Sequence, residues 1–333
     1  MSKANEKIWG ILVNLGAWSD GRPYTELPFD EDAWETIVDG AYDAGFNTII
    51  ICIGGGIDFS SHPELTLKGA WSQERLKKEI QRCREKGIKL IPKLNFASPH
   101  DIWLGEYSRM ISTPIYYKVC KDMIHEAYEL FEHPEYIHIG MDEEDAKHVA
   151  THQWAMYRQG DLFWHDLRFL VDCVKETGAK PWMWSCPLFD HPEEYKKHFA
   201  PDEAVLSPWY YNAFRKENWT PITSLQAYID YYNEEPYASM HLEYVEEDPF
   251  LVNVRNVAVP LSKEGYLYAP CASTINRCDA NSSDLVEYFK DNIADNQLVG
   301  FLTAPWRKIV SEYKQDFKES FKRLKEAKEK FYK

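Results

Sequence analysis

A chain of 333 residues with 53 acidic side chains against 38 Lys and Arg carries a formal charge of −15. That balance excludes the basic footprint that nucleic acid or an anionic membrane surface requires. Hydrophobic residues make up 44% of the chain, enough for a large core, yet no apolar run reaches the roughly eighteen residues that span a bilayer.

In chain order, short β-rich apolar runs alternate with longer one-sided ones. The opening segment lacks the apolar stretch and small-residue cleavage site of a signal peptide, so Ile8 to Leu15 reads as a first strand. Glu31 to Ala44 is a helix with Trp34, Ile37, Val38 and Ala41 on one face, stopped by Gly45. Asn47 to Ile53 is continuously apolar, as expected of a strand covered on both sides. Ser72 caps the next helix, Gly87 closes it, and Ile88 to Asn95 is strand three. Pro114 to Phe131 is a helix, Tyr136 to Met141 strand four, Leu162 to Glu176 a helix and Lys180 to Ser185 strand five. A short helix over Glu193 to Phe199 precedes strand six, Ala204 to Trp209. Thr220 to Lys263 holds a helix around Leu225 to Tyr232 and an apolar run from Phe250 to Leu261. Tyr266 to Ala272 is strand seven, Asp284 to Ile293 its helix, Leu298 to Ala304 strand eight and Ser311 to Phe331 the closing helix.

Eight βα units without an internal linker or repeat predict a single-domain (β/α)8 TIM barrel over residues 1–333. A doubly wound open sheet would need a glycine-rich phosphate turn after strand one, and Gly54-Gly55-Gly56 after strand two lacks that spacing. The triple glycine fits a tight turn at the barrel mouth instead. Seven cysteines at 52, 83, 120, 173, 186, 271 and 278, with no C-x-x-C, fit buried free thiols in a reducing compartment and hence a cytoplasmic protein.

Barrel enzymes carry their chemistry at the C-terminal strand ends. Strand one ends near Trp18 and Asp20, strand three at Asn95 with His100 and Asp101 beyond, and strand four in four consecutive acids, Asp142, Glu143, Glu144 and Asp145. Acids packed this closely repel, so folding gains nothing from them unless water, a cation or a substrate uses them. A solvated acidic loop is the plain reading, favoured for Glu144 and Asp145 over Asp142 and Glu143. Strand five delivers Trp182, Trp184 and Ser185, strand six Trp209, Tyr210 and Tyr211, strand seven Asn276 and Arg277, and strand eight Trp306 and Arg307. Most aromatics of any chain fill cores, but Trp184, Trp209 and Trp306 reach one end from three strands. Carboxylates ringed by Trp and Tyr suit glycosidic bond cleavage, with an acid for the leaving oxygen and flat platforms for the sugar ring.

His138-Ile139-Gly140-Met141-Asp142-Glu143 resembles the H-x-G-G-D-E motif of family 20 glycoside hydrolases, the β-N-acetylhexosaminidases, and I-K-L-I-P-K-L-N-F-A-S-P-H ending at His100 resembles that family's I-P-E-I-D-x-P-G-H strand. The likeness covers mainly strands three and four. It implies a retaining, substrate-assisted glycosidase without a cofactor or metal, in which the substrate's acetamido oxygen is the nucleophile. Glu143 would be the general acid/base and Asp142 would orient the acetamido group. Trp184, Trp209, Tyr211, Trp306, Asn95, His100 and Arg277 are the candidate substrate-binding residues, and a carbohydrate is the expected partner. Met141 replaces the second glycine, Lys93 and Asn95 replace two acids, and strand one lacks the family's sugar-gripping arginine. Lys93, Arg277 and Arg307 at the mouth would tolerate an acidic sugar.

Two other readings stay open. A metal-dependent hydrolase or isomerase would use His138, Asp142, Glu143 and the pair His148 and His152, although no H-E-x-x-H occurs. A non-catalytic sugar-binding barrel would keep the fold without the chemistry. Nucleophilic serine or cysteine catalysis finds no motif.

Overall fold

The computed structural model describes residues 6–16, 24–144, 156, 158–214 and 249–332. Trp18, Asp20, Asp145, His148, His152 and the helix expected around Leu225 to Tyr232 lie outside them.

β1 (Ile8–Asn14) and β2 (Thr48–Cys52) are Ile, Leu and Val runs buried along their whole length, as parallel strands covered on both faces must be. They pair in register from Gly10 opposite Thr48 to Asn14 opposite Cys52. β3 (Lys89–Lys93), β4 (Tyr136–His138), β5 (Lys180–Trp184) and β6 (Val205–Ser207) follow in sequence, each parallel to the one before. The seventh stave comes in two pieces, β7 (Leu267–Tyr268) and β8 (Cys271–Ala272), and β9 (Gly300–Thr303) pairs back onto β1. Pro270 explains the break, since it has no N–H to give to a ladder. Hydrogen bonding nevertheless continues on both sides of it. Ala269 and Cys271 donate to the Leu206 and Pro208 carbonyls at 2.9 and 2.8 Å, while the Tyr268 and Pro270 carbonyls accept from Val299 and Leu302 at 2.8 and 2.9 Å. One interrupted stave thus bonds to both neighbours, which closes the eight-stave barrel that the alternating pattern predicts.

Helices cover the outside: α1 (Glu31–Asp43), α2 (Gln73–Glu85), α3 (Pro114–Leu130) and α4 (Gly160–Thr177). The short helices α5 (Cys186–Asp190) and α6 (Pro192–His198) follow, then α7 (Pro249–Asn253) and α8 (Val259–Ser262). α9 (Asn281–Asn292) and α10 (Lys314–Phe331) end the chain. Caps act where their residue types predict, with Ser72 and Thr113 hydroxyls accepting from the Arg75 and Tyr116 amides. α1 buries Ala33, Trp34, Ile37, Val38 and Ala41 at helical spacing, the stripe legible in the sequence.

Period-two alternation sorts side chains into two layers. Ile11, Val13, Ile49, Ile51 and Ile137 face the helices, while Ile8, Leu12, Ile50, Ile91, Tyr136, Trp182, Trp184, Val205, Cys271 and Leu302 pack against one another inside the barrel. On β3 the inward series begun by Ile91 continues to Lys93 and then Asn95, which carries polar groups to the top of the interior. All seven cysteines are buried and free. Among the described residues no helix is long and apolar enough to cross a membrane.

Candidate active site

β4 is shorter than its apolar pattern predicts because the backbone turns left-handed directly after it. Gly140, Met141 and Glu143 have φ of 75°, 65° and 54°. Only glycine adopts this region without steric penalty. A Cβ on Gly140 would also lie 1.9 Å from Asn95 Oδ1, so the strand-three and strand-four ends approach to a distance that no side chain permits. Arg277 and Trp306 have φ of 54° and 52° in the turns after β8 and β9. Backbone strain of this kind costs about 1–3 kcal/mol per residue and gathers at functional sites.

The turn after β4 brings two carboxylates beside the end of β3. Asn95 Nδ2 donates to Asp142 Oδ1 at 2.8 Å, and Asn95 Oδ1 accepts the Ala97 and Met141 amides. His100 Nε2 lies 2.9 Å from Glu143 Oε2 and 3.4 Å from Asp142 Oδ2. Burial depresses the His100 pKa, but the Asp142 charge and then the Glu143 hydrogen bond and charge outweigh it, leaving it raised against opposition from Lys93. Below this level His138 accepts the Gly140 amide at Nδ1. Burial, then the Lys93 charge, hold its pKa well below the usual histidine range.

Aromatic rings line the other side. Trp184 lies 5.8 Å from Trp306 and 5.1 Å from His138, Tyr211 lies 6.2 Å from Trp306, and Trp209 stacks on Tyr211 at 5.1 Å. Trp209 also donates to Cys186 Sγ at the start of α5. Lys93 Nζ sits over the Trp184 and Trp306 rings at 4.9 and 5.6 Å. The structure thus draws Asp142, Glu143, Asn95 and His100 into one hydrogen-bonded group and Trp184, Trp209, Tyr211 and Trp306 into one aromatic wall. Arg277 is exposed, and Arg307 turns away to pair with Asp316 at 2.9 Å.

Glu144 corrects the expectation of a solvated acid. Its side chain is 2% exposed and grips Arg158, itself 1% exposed, from both oxygens at 2.5 Å. Arg158 also donates to the Phe96 carbonyl at 2.8 Å, and Glu144 accepts the Ser98 amide at 3.1 Å. This pair stitches the loop after β3 to the loop after β4. Arg158 escapes sequence reading because it lies in a polar stretch before α4, with no periodicity to mark it as buried.

His100, Asp142 and Glu143 offer ligand atoms within 4.8 Å of one another, a set a divalent cation can use. His138, expected in that set, is committed to the Gly140 amide instead.

No family sequence model matches the chain, and no curated protein matches it by sequence. Its fold does match solved structures. A structure of dispersin B superposes with a TM-score of 0.59 over 97% of this chain and 98% of its own, at 13% identity. The family 20 β-N-acetylhexosaminidase of Streptomyces coelicolor gives 0.60 over 95% of this chain and 63% of its own, at 11% identity. The chain shares the (β/α)8 barrel fold of these structures. A family 20 exo-β-N-acetylglucosaminidase of Vibrio harveyi, determined with N-acetylglucosamine, gives 0.59 over 96% of this chain and 54% of its own, at 13% identity. The family 20 likeness therefore spans the whole barrel, although its sequence signal is confined to strands three and four.

Proposed function

We propose that this chain is a retaining glycoside hydrolase acting on N-acetylhexosaminides, with Glu143 as general acid/base and Asp142 as the group that orients the acetamido substituent. The observation that carries the reading is the convergence of Asp142 and Glu143 on His100, at 3.4 and 2.9 Å, in a barrel mouth that also holds the Trp306 and Tyr211 rings. Adjacent residues of a regular strand point to opposite sides. The left-handed turn at Glu143 is what lets two consecutive acids share one histidine.

In this reading the sugar ring stacks on the half-buried Trp209 and Trp306 indoles, Trp184 being buried in the barrel core. The Glu143 carboxyl donates its proton to the glycosidic oxygen as that bond breaks, and the acetamido oxygen closes on the anomeric carbon. Asp142, fixed by the Asn95 amide, accepts from the acetamido N–H and offsets the positive charge of the oxazolinium. Glu143, now ionised, takes a proton from the water that reopens it, so the anomeric configuration is retained. His100 holds the Glu143 carboxyl in place through both steps. A set of p-nitrophenyl glycosides that includes N-acetyl-β-glucosaminide and N-acetyl-β-galactosaminide tests this. Cleavage of either with retention supports the reading, and binding without turnover by wild type favours the sugar-binding barrel.

The ligand set of His100, Asp142 and Glu143 supports a metal-dependent alternative. Elemental analysis and activity in a chelator separate the two: unchanged turnover without metal retains the glycosidase.

A further inference from the structure

Lys93 is 2% exposed at the inner end of β3. Among the described residues no carboxylate lies within ion-pairing distance of its Nζ, and its contacts with charge-accepting groups are the Trp184 and Trp306 rings. A buried lysine without a counter-charge is rare, because the ion gives up its hydration shell without a partner to replace it. Cation–π contact replaces only part of that hydration. The acids nearby are otherwise engaged, Asp142 with Asn95 and His100, and Glu143 with His100. The Lys93 charge nevertheless acts within this site, opposing protonation of both His100 and His138.

Placement makes the lysine part of the sugar-facing wall. Lys93 and Asn95 are two apart on one strand and so face the same way, and Asn95 touches Asp142. Of the two indoles against Lys93 Nζ, the half-buried Trp306 is one that the proposed function gives to the sugar ring.

We infer that Lys93 is the counter-ion for an anionic substituent, a carboxylate or a sulfate ester, on the sugar that stacks against Trp306. This rests on the glycosidase reading and narrows its substrate. A sulfated N-acetylhexosamine supplies both the acetamido group that Asp142 would orient and the anion that Lys93 would meet, whereas a uronic acid supplies only the anion. The exposed Arg277 and the paired Arg307 are not needed for it.

The test measures kcat/KM for p-nitrophenyl N-acetyl-β-glucosaminide and its 6-sulfate and for p-nitrophenyl β-glucoside and β-glucuronide, with calorimetric binding of the four free sugars, for wild type, Lys93→Met and Lys93→Arg. The expected result is a preference of at least about tenfold for one anionic sugar over its neutral counterpart in wild type. Lys93→Met should abolish it and Lys93→Arg should keep part of it. Whichever of the sulfate and the glucuronide is preferred identifies the anion. Equal handling of neutral and anionic sugars, or a preference that survives in Lys93→Met, overturns the inference while cleavage of the neutral glycoside leaves the glycosidase standing. If no sugar is bound or cleaved, both fall together. Should Lys93→Met fail to fold, the wild-type ratio alone decides, because a neutral preference excludes the counter-ion role.

Discussion

Asn95 and Asp142 are joined by one hydrogen bond of 2.8 Å, donated by the Asn95 amide, while the other end of the same side chain holds the Ala97 and Met141 amides. An amide serves both ends at once, donor to a carboxylate and acceptor from backbone. Asn95→Asp keeps the acceptor and loses the donor, setting two buried carboxyls together that must share a proton or repel. The expected outcome is a stability loss of about 1–3 kcal/mol in urea titration. Activity should fall at neutral pH and recover in part as the medium is acidified.

Glu143→Gln preserves size and a hydrogen-bonding group for His100 but cannot cycle a proton. Turnover of an aryl N-acetylhexosaminide should drop about a hundredfold or more, with the melting temperature nearly unchanged. A variant that retains wild-type turnover removes Glu143 from the acid/base role.

Much of this was legible in the sequence, for reasons tied to particular residues. Ile49 to Ile51 and the Trp34, Ile37, Val38 stripe fix strand and helix through burial, which periodicity reports directly. The pairing of Asp142 with Glu143 was visible as an unlikely run of acids. What the sequence hid depends on contacts distant along the chain. Glu144 looks like its acidic neighbours until Arg158 is brought beneath it, and Arg307 looks like a mouth residue until Asp316 takes it. Left-handed turns at Met141 and Glu143 carry no residue signal, because neither side chain favours them.

Gly140→Ala tests how closely the two strand ends must approach. The added methyl would meet Asn95 Oδ1 at 1.9 Å on a backbone with φ of 75°, so either Asn95 or the turn must move. Because both moves displace Asp142, activity should be lost out of proportion to stability. Comparing kcat/KM with the urea midpoint shows which loss is larger.

Acid stability follows from Glu203, which lies far from the carboxylate pair and reports on the barrel alone. Burial raises its pKa, but hydrogen bonds from Arg168 and Lys175 outweigh that and lower it to about 2 from an ordinary 4.5. A depressed folded-state pKa means the stabilisation is complete above the unfolded value and is lost as pH falls from about 4.5 toward 2. Wild type should therefore lose its stability advantage over Glu203→Gln across that window. Parallel melting curves for the two proteins between pH 5 and 2.5 check it.

Arg158→Met separates positioning from chemistry. The guanidinium is buried among Glu144, Asp166 and the Phe96 carbonyl, and its removal strands a carboxylate whose side chain is 2% exposed. Breaking a buried pair from one side costs about 3–5 kcal/mol, far more than an exposed pair is worth. Arg158→Met with Glu144→Gln removes one of the two stranded carboxylates, the buried Asp166 remaining, and should regain part of that stability. It should not regain activity to the same degree. The Arg158 bond to the Phe96 carbonyl is still missing in the double variant, and the loop that it ties down carries His100 to Glu143. Stability restored with kcat still depressed identifies Arg158 as a positioning residue, whereas restoration of both together assigns it to folding alone.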